Sequence, residues 1–376
     1  MRPAVVFGLL HAGLALVRAL GRDGVPVHGV ALGEREFGLR SRYLLSRTLA
    51  RSDDDVLELL RSLQERPVLF PERDENVAFV LRNWDAVQEV ADVPLPDDPE
   101  IVLRLRRKER LAAEGAAAGV PAPTTVLARD EAVIRAAKLE PPLLVKPAEG
   151  QEFALAFGEK AVVAADADAA VAAWRRAHDH GFDTIVQELI PDSHDFVFSL
   201  LTYIGRDGEP VANVTGRKVR QGPLRFGTSA VFEARHEPEV EEVGLRLLRH
   251  VGYKGFAHVE LVRDPRDGSL KLVEVNTRPP IWAGIAMTRH FDLARIAYDD
   301  LTGRAQTSNG APPEGVSWIY MAKDVWVSAQ MARRRELRPG QFLSHYLRRH
   351  KVRAVFAADD PLPALASVSY LRSRVS

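Results

Sequence analysis

The stretch FAHVELVRDPRDGSLKLVEVNTRPP, residues 256–280, decides the fold prediction for this chain. Its two apolar runs flank the segment DPRDG, in which proline fixes one φ angle and glycine tolerates another, so the sequence predicts a β-hairpin. Because side chains alternate along a strand, Glu274 and Asn276 share one face of the return strand. Folding about the turn then places Glu260, in the first strand, opposite Glu274.

Two carboxylates that face each other in this way need a cation. They repel by about 3–4 kcal/mol at an effective dielectric constant of about 20. Glu260, Glu274 and Asn276 supply three oxygen ligands, two of them anionic, which suit Mg²⁺ or Mn²⁺. The alternative is a solvated polar face on an amphipathic hairpin. The exit Arg278-Pro279-Pro280 and the order of the other motifs favour the metal site.

The composition excludes several classes of protein. The chain has 376 residues, enough for two or three domains, and a formal net charge of zero, so bulk electrostatics indicate no nucleic-acid partner. The absence of cysteine excludes a disulfide framework, a thiolate metal site and a cysteine nucleophile. The sequence has no signal-peptide pattern and no apolar run of about 18 residues. We therefore expect a cytoplasmic protein without a membrane partner.

Arginine is the default cation of this chain, which has 42 arginines and nine lysines. Lysine carries a compact ammonium that binds phosphate as a point charge. A lysine retained in a loop or at a strand end is therefore a candidate phosphate ligand. This argument singles out Lys108, Lys146 and Lys218.

The first hundred residues alternate predicted strands and helices, which indicates an open α/β unit with a mostly parallel sheet. Gly8 and Gly13 flank the first turn, but their spacing is neither a P-loop nor the G-x-G-x-x-G of dinucleotide-binding folds. Tight turn geometry explains them better, and a nicotinamide-dependent oxidoreductase is disfavoured. Further along, we predict a long helix over 100–119, a hairpin over 151–164 and a basic loop at 217–220.

Several motifs occur in the order found in the ATP-grasp superfamily. They are LLVKP (143–147), IVQELIP (185–191), GRKVRQGP (216–223), the hairpin with LKLVEVNTRP (270–279), and ADDPLP (358–363). The segments GLALVRALGRDGVPVHGV (13–30) and GLRSRY (38–43) precede them. On these residues the chain resembles, over nearly its whole length, the carboxylate–amine ligase branch, which includes D-aspartate-ligase-like proteins.

The resemblance implies an α/β protein of the ATP-grasp fold with an N-terminal open parallel α/β domain, a small lid subdomain and a central antiparallel-sheet domain. We place the N-terminal domain at 1–97, and the helical linker and lid subdomain at 98–190. The catalytic subdomain with the metal hairpin follows at 191–310, and a C-terminal helical extension at 311–376.

The resemblance also implies an ATP site. Lys146 would hold the α- and β-phosphates, and Lys108 matches a second phosphate-facing lysine, although a solvated helix face is the alternative for it. The adenine-reading hinge would be the run Gln187, Glu188, Leu189 and Ile190. Asp195 matches the position that binds the ribose hydroxyls, with an ordinary loop carboxylate as the alternative.

The catalytic residues implied by the resemblance surround the metal positions of Glu260, Glu274 and Asn276. Arg278 would meet charge that develops on a transferred phosphoryl group or a tetrahedral intermediate. Arg217 and Lys218, with Arg220, would face the γ-phosphate or an acyl phosphate. Two departures from the family stand out. The segment 148–153 carries two acids and a Phe instead of a glycine- and serine-rich lid, and His258 replaces an arginine of several relatives.

The resemblance implies an ATP- and Mg²⁺-dependent ligase that joins a small carboxylate to an amine through an acyl phosphate. We expect amino-acid-like substrates. Dimers are common in similar proteins, so a homodimer is possible, but the sequence does not set the oligomeric state. The alternative is a non-catalytic or regulatory ATP-binding protein, which the atypical segment 148–153 favours. The retained metal ligands, Lys146 and Arg278 argue against that alternative.

Overall fold

The computed structural model describes residues 1–149, 152–191, 197–304 and 310–375. Within those ranges the strands are β1 (Ala4–Phe7), β2 (Val27–Ala31), β3 (Leu44–Leu49), β4 (Val68–Pro71), β5 (Thr125–Leu127), β6 (Leu143–Pro147), β7 (Val162–Ala164), β8 (Thr184–Glu188), β9 (Val197–Ile204), β10 (Pro210–Gly222), β11 (Thr228–Ala234), β12 (Gly255–Arg263), β13 (Leu270–Asn276), β14 (Ser317–Ile319) and β15 (Lys351–Arg353).

The helices in the same ranges are α1 (His11–Arg22), α2 (Asp53–Ser62), α3 (Asp74–Arg82), α4 (Trp84–Val90), α5 (Pro99–Arg106), α6 (Lys108–Ala117), α7 (Glu131–Ala136), α8 (Glu152–Phe157), α9 (Ala167–His178), α10 (Pro238–His250), α11 (Leu293–Thr302), α12 (Met321–Arg333), α13 (Pro339–Leu347) and α14 (Leu362–Val375), with 3-10 turns at Phe37–Arg40 and Ala283–Ala286. In this part of the chain no helix combines the length and the apolar character needed to cross a membrane.

The N-terminal sheet has the order β3-β2-β1-β4 and is entirely parallel, which confirms the predicted open α/β unit. β1 is buried on both faces. Ala4 and Val6 pack into the core that contains α1, whereas Val5 and Phe7 pack into the core that contains α2 and α3. A strand covered on both faces is continuously apolar, as this one is. β3 was not predicted from the sequence.

A second sheet, with the order β5-β8-β6-β7, is antiparallel and is packed against α7 and α9. The predicted hairpin over 151–164 is wrong, because the described part of that segment forms α8 followed by β7. Phe153 and Phe157 lie four residues apart, on one face of α8, with ring centroids separated by 4.5 Å. Both rings also contact Phe182, and this shared aromatic contact favours a helix over a strand.

The central sheet has seven strands in the order β13-β12-β9-β10-β11-β14-β15. The predicted hairpin is confirmed as β12 and β13, and Glu260 pairs directly with Glu274 in the ladder. The C-terminal segment is not only helical as expected, since β14 pairs with β11 and β15 extends the edge. The predicted domain boundaries stay a prediction.

Two further predictions need correction. The long helix expected over 100–119 breaks at Arg107, whose extended backbone separates α5 from α6. The break lets the Lys108 N–H donate to Ala148 O at 3.2 Å, directly after β6. The basic loop expected at 217–220 is strand, because this stretch of β10 pairs with β11, and Arg217 also pairs with β9.

The motif ADDPLP ties the end of the chain to α1 through Asp359 and Asp360, which we call the carboxylate clasp. Asp360 receives a hydrogen bond of 2.9 Å from Arg18 Nε, and both side chains are buried. Asp359 receives bonds of 2.8 and 2.9 Å from Arg22. The clasp therefore fixes the C-terminal segment against the first helix of the N-terminal sheet.

Candidate active site

The paired glutamates Glu260 and Glu274 lie near Lys218, which belongs to β10 of the same sheet. Lys218 Nζ donates to Glu260 Oε2 at 2.9 Å, and the two side chains are only 10% and 13% exposed. Burial alone would raise the pKa of the Glu260 carboxyl, but the charge of Lys218 and its hydrogen bond hold the pKa below its ordinary value. Glu260 is therefore an ionised carboxylate at neutral pH.

His258 contributes no charge to this cluster. Its Nε2 lies 3.6 Å from Glu260 Oε1, but burial lowers the pKa of His258 to about 4, so the ring is neutral at pH 7. His258 Nδ1 faces Asn276 Nδ2 at 3.3 Å, which orients the Asn276 amide oxygen away from the ring.

Arg278 leaves β13 and crosses to the N-terminal sheet. Its Nε and Nη2 donate to the two oxygens of Asp74, at the start of α3, at 2.9 and 2.8 Å. The same Nη2 lies 3.5 Å from Asn276 Oδ1. The guanidinium therefore connects α3 to the rim of the carboxylate pair.

A divalent cation is the group that the resemblance in sequence implies at these residues. The donor set of Glu260, Glu274 and Asn276 fits a hard cation such as Mg²⁺, which takes oxygen ligands and retains water or phosphate in its other positions. Within the described ranges no group of three or more His, Asp or Glu side chains forms a metal cluster. The two carboxylates and the amide would be the protein ligands of such a cation, with its remaining positions open to water or phosphate oxygens.

The predicted phosphate lysines Lys146 and Lys108 come together near the carboxylates. Lys146 is 8% exposed at the end of β6, and its pKa is lowered to about 7, first by burial and then by the charge of Lys108. Glu274 and Glu260 oppose that shift, so both carboxylates and Lys108 lie within electrostatic reach of Lys146. Lys108 and Glu274 also line a common cleft, together with Asp74, Arg106, Glu149 and Asn276.

The predicted adenine hinge covers the last two residues of β8 and the two that follow. The Glu188 N–H donates to Thr124 O at 3.0 Å and the Leu189 N–H to Pro142 O at 3.1 Å, so both groups are already paired. The Ile190 N–H makes no hydrogen bond to any residue that the structure describes. The Glu188 side chain is paired with Arg266. This arrangement leaves Ile190 as the hinge donor that is available to a base.

Some predicted residues serve other contacts. Gln187 Nε2 donates to Thr125 Oγ1 at 2.6 Å and joins β8 to β5. Arg217 is paired with Glu233 at 3.1 Å, on the face of β10 opposite Lys218. Arg220, expected to face phosphate, is instead buried against Asp324 of α12 at 2.6 Å. Asp195 lies outside the described residues.

Sequence reasoning missed two lysines. Burial lowers the pKa of Lys160, and its charge interacts with Glu274, Lys218 and Glu260. Lys323, in the first turn of α12, interacts with Lys160 and Lys218. The scarcity of lysine was the available signal, because extending that argument to all nine lysines would have included both.

Comparison with known proteins identifies the fold. No protein-family model matches the chain. A D-aspartate ligase of Enterococcus faecium (strain Aus0004) is 24% identical over 193 residues, which are 48% of this chain and 46% of that protein. The match thus spans about half the length of this curated relative.

Two solved structures have similar folds at low sequence identity. The ADP complex of PurK, an N5-carboxyaminoimidazole ribonucleotide synthetase, has a TM-score of 0.66 at 15% identity and covers 84% of this chain and 81% of its own. The biotin carboxylase domain dimer of Hydrogenobacter thermophilus 2-oxoglutarate carboxylase, with MgADP, ADP and bicarbonate, has a TM-score of 0.64 at 15% identity and covers 82% and 72%. The chain has the ATP-grasp fold, as the sequence predicted.

Proposed function

We propose that this protein is an ATP- and Mg²⁺-dependent ligase that joins a small carboxylate to an amine. In the proposed reaction a carboxylate oxygen attacks the γ-phosphorus of ATP, and ADP leaves. The amine then attacks the acyl carbon, phosphate leaves with the bridging oxygen, and the nitrogen loses a proton. The products are an amide, ADP and phosphate.

The observation that carries the proposal is the convergence of Lys146, Lys218 and Arg278 on the paired carboxylates Glu260 and Glu274. Phosphoryl transfer needs no side-chain nucleophile, since positioning and electrostatic stabilisation supply most of the catalysis. A site that contains both carboxylates and cationic side chains suits a bound metal–triphosphate. The carboxylates can bind the metal ion, and the cationic side chains can bind the phosphates. The ADP complexes among the structural neighbours support the same nucleotide here.

Each residue has a separate task in this proposal. Lys146 and Lys108 hold the phosphates, and the Ile190 N–H binds the adenine ring. Glu260, Glu274 and Asn276 would hold Mg²⁺, which offsets phosphate charge when bound. Arg278 binds the oxygens that become more negative during transfer.

The substrates proposed are small, and the curated relative suggests amino-acid-like acids and amines. A binding protein without catalysis remains the competing function, because Glu149 of the segment 148–153 is paired with Arg106 at 2.9 Å, beside the cleft where a lid would close. That pairing is the specific observation in its favour.

Oxygen tracing separates the two functions. The protein is incubated with MgATP and pools of amino acids whose carboxylates carry ¹⁸O, and ADP, phosphate and new amides are measured by mass spectrometry. Ligation predicts ADP release that depends on the acid, with one ¹⁸O transferred to phosphate. MgATP binding without acid-dependent ADP release, across the pools, would favour the binding protein. The Glu260→Gln variant serves as the inactive control.

A further inference from the structure

One arginine of the candidate active site is tied to an acid of the atypical segment 148–153. Arg106, the last residue of α5, donates from Nε to Glu149 Oε1 at 2.9 Å. Its Nη1 donates to Asp74 O, at the start of α3, at 3.2 Å. A guanidinium has five N–H donors, so these two contacts leave others for a further oxygen.

Direct contacts place this ion pair at the nucleotide end of the site. The Lys108 N–H donates to Ala148 O, which joins the start of α6 to the residue after β6. Arg106 and Glu149 flank that hydrogen bond along the chain. Both side chains also line the cleft that contains Lys108 and Glu274, whose empty volume is about 380 Å³. The ion pair therefore borders the same space as a predicted phosphate lysine and a predicted metal ligand.

The two partners of the ion pair are held unequally. The Arg106 side chain is 12% exposed and is held from a second direction by Asp74 O. The Glu149 side chain is 37% exposed. An ion pair with an exposed partner costs little to break, because water replaces the lost contact. Glu149 is therefore the partner that can move into water, while Arg106 stays against α3.

We propose that Arg106 binds a phosphate oxygen of ATP, and that Glu149 occupies this guanidinium in the nucleotide-free protein. The inference rests on the proposed function, because it requires ATP to bind in this cleft. A guanidinium binds carboxylate and phosphate oxygens with the same N–H donors, so Glu149 and phosphate compete for Arg106. Their negative charges also repel each other. ATP binding thus separates Glu149 from Arg106, and this separation lowers the apparent affinity for ATP.

A double-mutant cycle followed by calorimetry tests this assignment. MgATP and adenosine are titrated into wild type, Arg106→Gln, Glu149→Gln and the double variant. The titrations use about 0.5 M NaCl, which screens charges that are not in contact. Arg110→Gln and Glu100→Gln are matched controls, because these two residues form another ion pair between α5 and α6, at 2.8 Å.

The four proteins should differ in their affinity for the triphosphate and not for the nucleoside. We expect Arg106→Gln to weaken MgATP binding by about tenfold or more, because a charge-assisted hydrogen bond to phosphate is lost. Glu149→Gln should tighten MgATP binding by about threefold, because the competing carboxylate is gone. In the Arg106→Gln background, Glu149→Gln should give no such gain. Adenosine has no phosphate, so its affinity should be the same in all variants.

The outcomes separate this inference from the proposed function. Failure of wild type to bind MgATP would overturn both. Normal MgATP affinity in Arg106→Gln would overturn the inference alone, as would a gain from Glu149→Gln that is equally large without Arg106. Parallel loss of MgATP and adenosine binding in Arg106→Gln would show that Arg106 only supports the cleft. Arg106→Lys, which keeps the charge and loses the planar fork, takes its place in the cycle if Arg106→Gln does not fold, with the same directions expected.

Discussion

The ion pair between Lys218 and Glu260 spans the central strand β9, because Lys218 lies on β10 and Glu260 on β12. Ser199 of β9 pairs with Glu260 on one side and with Gly216 on the other. Gly216 is also the position over which the Phe232 ring packs, since a Cβ there would lie 2.8 Å from that ring. The negative charge of Glu260 is therefore balanced by Lys218 before any metal binds. A metal ion bound at Glu260 would share this carboxylate with Lys218.

Metal and nucleotide should bind together. Glu274 faces Glu260, and among the described contacts of these two carboxylates only Glu260 is bonded to a lysine. At a ligand concentration of about 100 times Kd, MgATP should stabilise the wild-type protein by about 2.7 kcal/mol. Glu274→Gln should remove most of the corresponding rise in melting temperature and leave the apo protein folded. Glu242→Gln, on the exposed face of α10, is the control. A full MgATP shift in Glu274→Gln would exclude Glu274 as a ligand.

ATP binding should take up protons at alkaline pH. The pKa of Lys146 is about 7 in the folded protein, against 10.5 for an ordinary lysine, and bound phosphate should raise it again. At pH 8.5, calorimetry in buffers of different ionisation enthalpy should detect this uptake, and Lys146→Met should lose most of it and bind ATP about tenfold or more weakly. Lys254→Met, at the surface beside Asp97, should behave as wild type.

The same depressed pKa predicts how apo stability depends on pH. Between pH 7 and 10.5 the unfolded chain holds a proton on Lys146 that the folded protein lacks. Stability contributed by this position should therefore rise with pH across that window. The difference in free energy of unfolding between wild type and Lys146→Met, measured by urea denaturation, should increase from pH 7 to pH 10. A difference in free energy of unfolding that is independent of pH would contradict the lowered pKa of Lys146 in the folded protein.

Arg278 has a structural partner and a proposed catalytic task, and two variants separate them. Asp74→Asn removes the ion pair and keeps the guanidinium of Arg278. Arg278→Ala removes the ion pair and the guanidinium together. We expect Arg278→Ala to lower amide-forming turnover by about 10²–10³, equal to about 2.7–4 kcal/mol, with ATP affinity changed less than about threefold. Arg278→Lys should also be impaired, because it lacks the planar fork. Near-normal turnover per folded Arg278→Ala molecule would leave only the salt bridge.

The carboxylate clasp contains a buried pair and an exposed pair on the same helix. Asp360→Asn should cost about 3–5 kcal/mol, because it leaves Arg18 buried without its counter-ion. Asp359→Asn should cost about 0–1 kcal/mol, since Arg22 and Asp359 are 22% and 37% exposed. Chemical denaturation of both variants measures the two values. Equal losses would mean that burial does not set the strength of the clasp.

Local pattern predicted the parts of the site that depend on neighbouring residues. Strand alternation and the turn DPRDG were sufficient to pair Glu260 with Glu274. The partner of Arg220 could not be predicted in the same way, because Asp324 lies 104 residues away and α12 had to be placed against β10 first. Lys323 reaches Thr228 through the same packing. Residues brought together by distant elements leave no periodic signal in the sequence.

The predictions for residues 100–119 and 151–164 were wrong for a different reason. Each segment depends on a tertiary contact that competes with intrinsic propensity: the Lys108 N–H bonds to Ala148 O, and Phe153 packs against Phe182. Arginine and alanine favour an uninterrupted helix over 100–119, so propensity alone predicts no break. The fold class was predictable because it follows from the order of the motifs, which such local changes leave intact.

The clasp also sets an order of events during biosynthesis. Arg18 leaves the ribosome 342 residues before Asp360, its buried counter-ion. Until then, the nascent N-terminal domain must either keep the Arg18 side chain hydrated or bury its charge without a counter-ion, which is costly. The N-terminal sheet therefore reaches its final packing only after residues 359 and 360 emerge and dock onto α1.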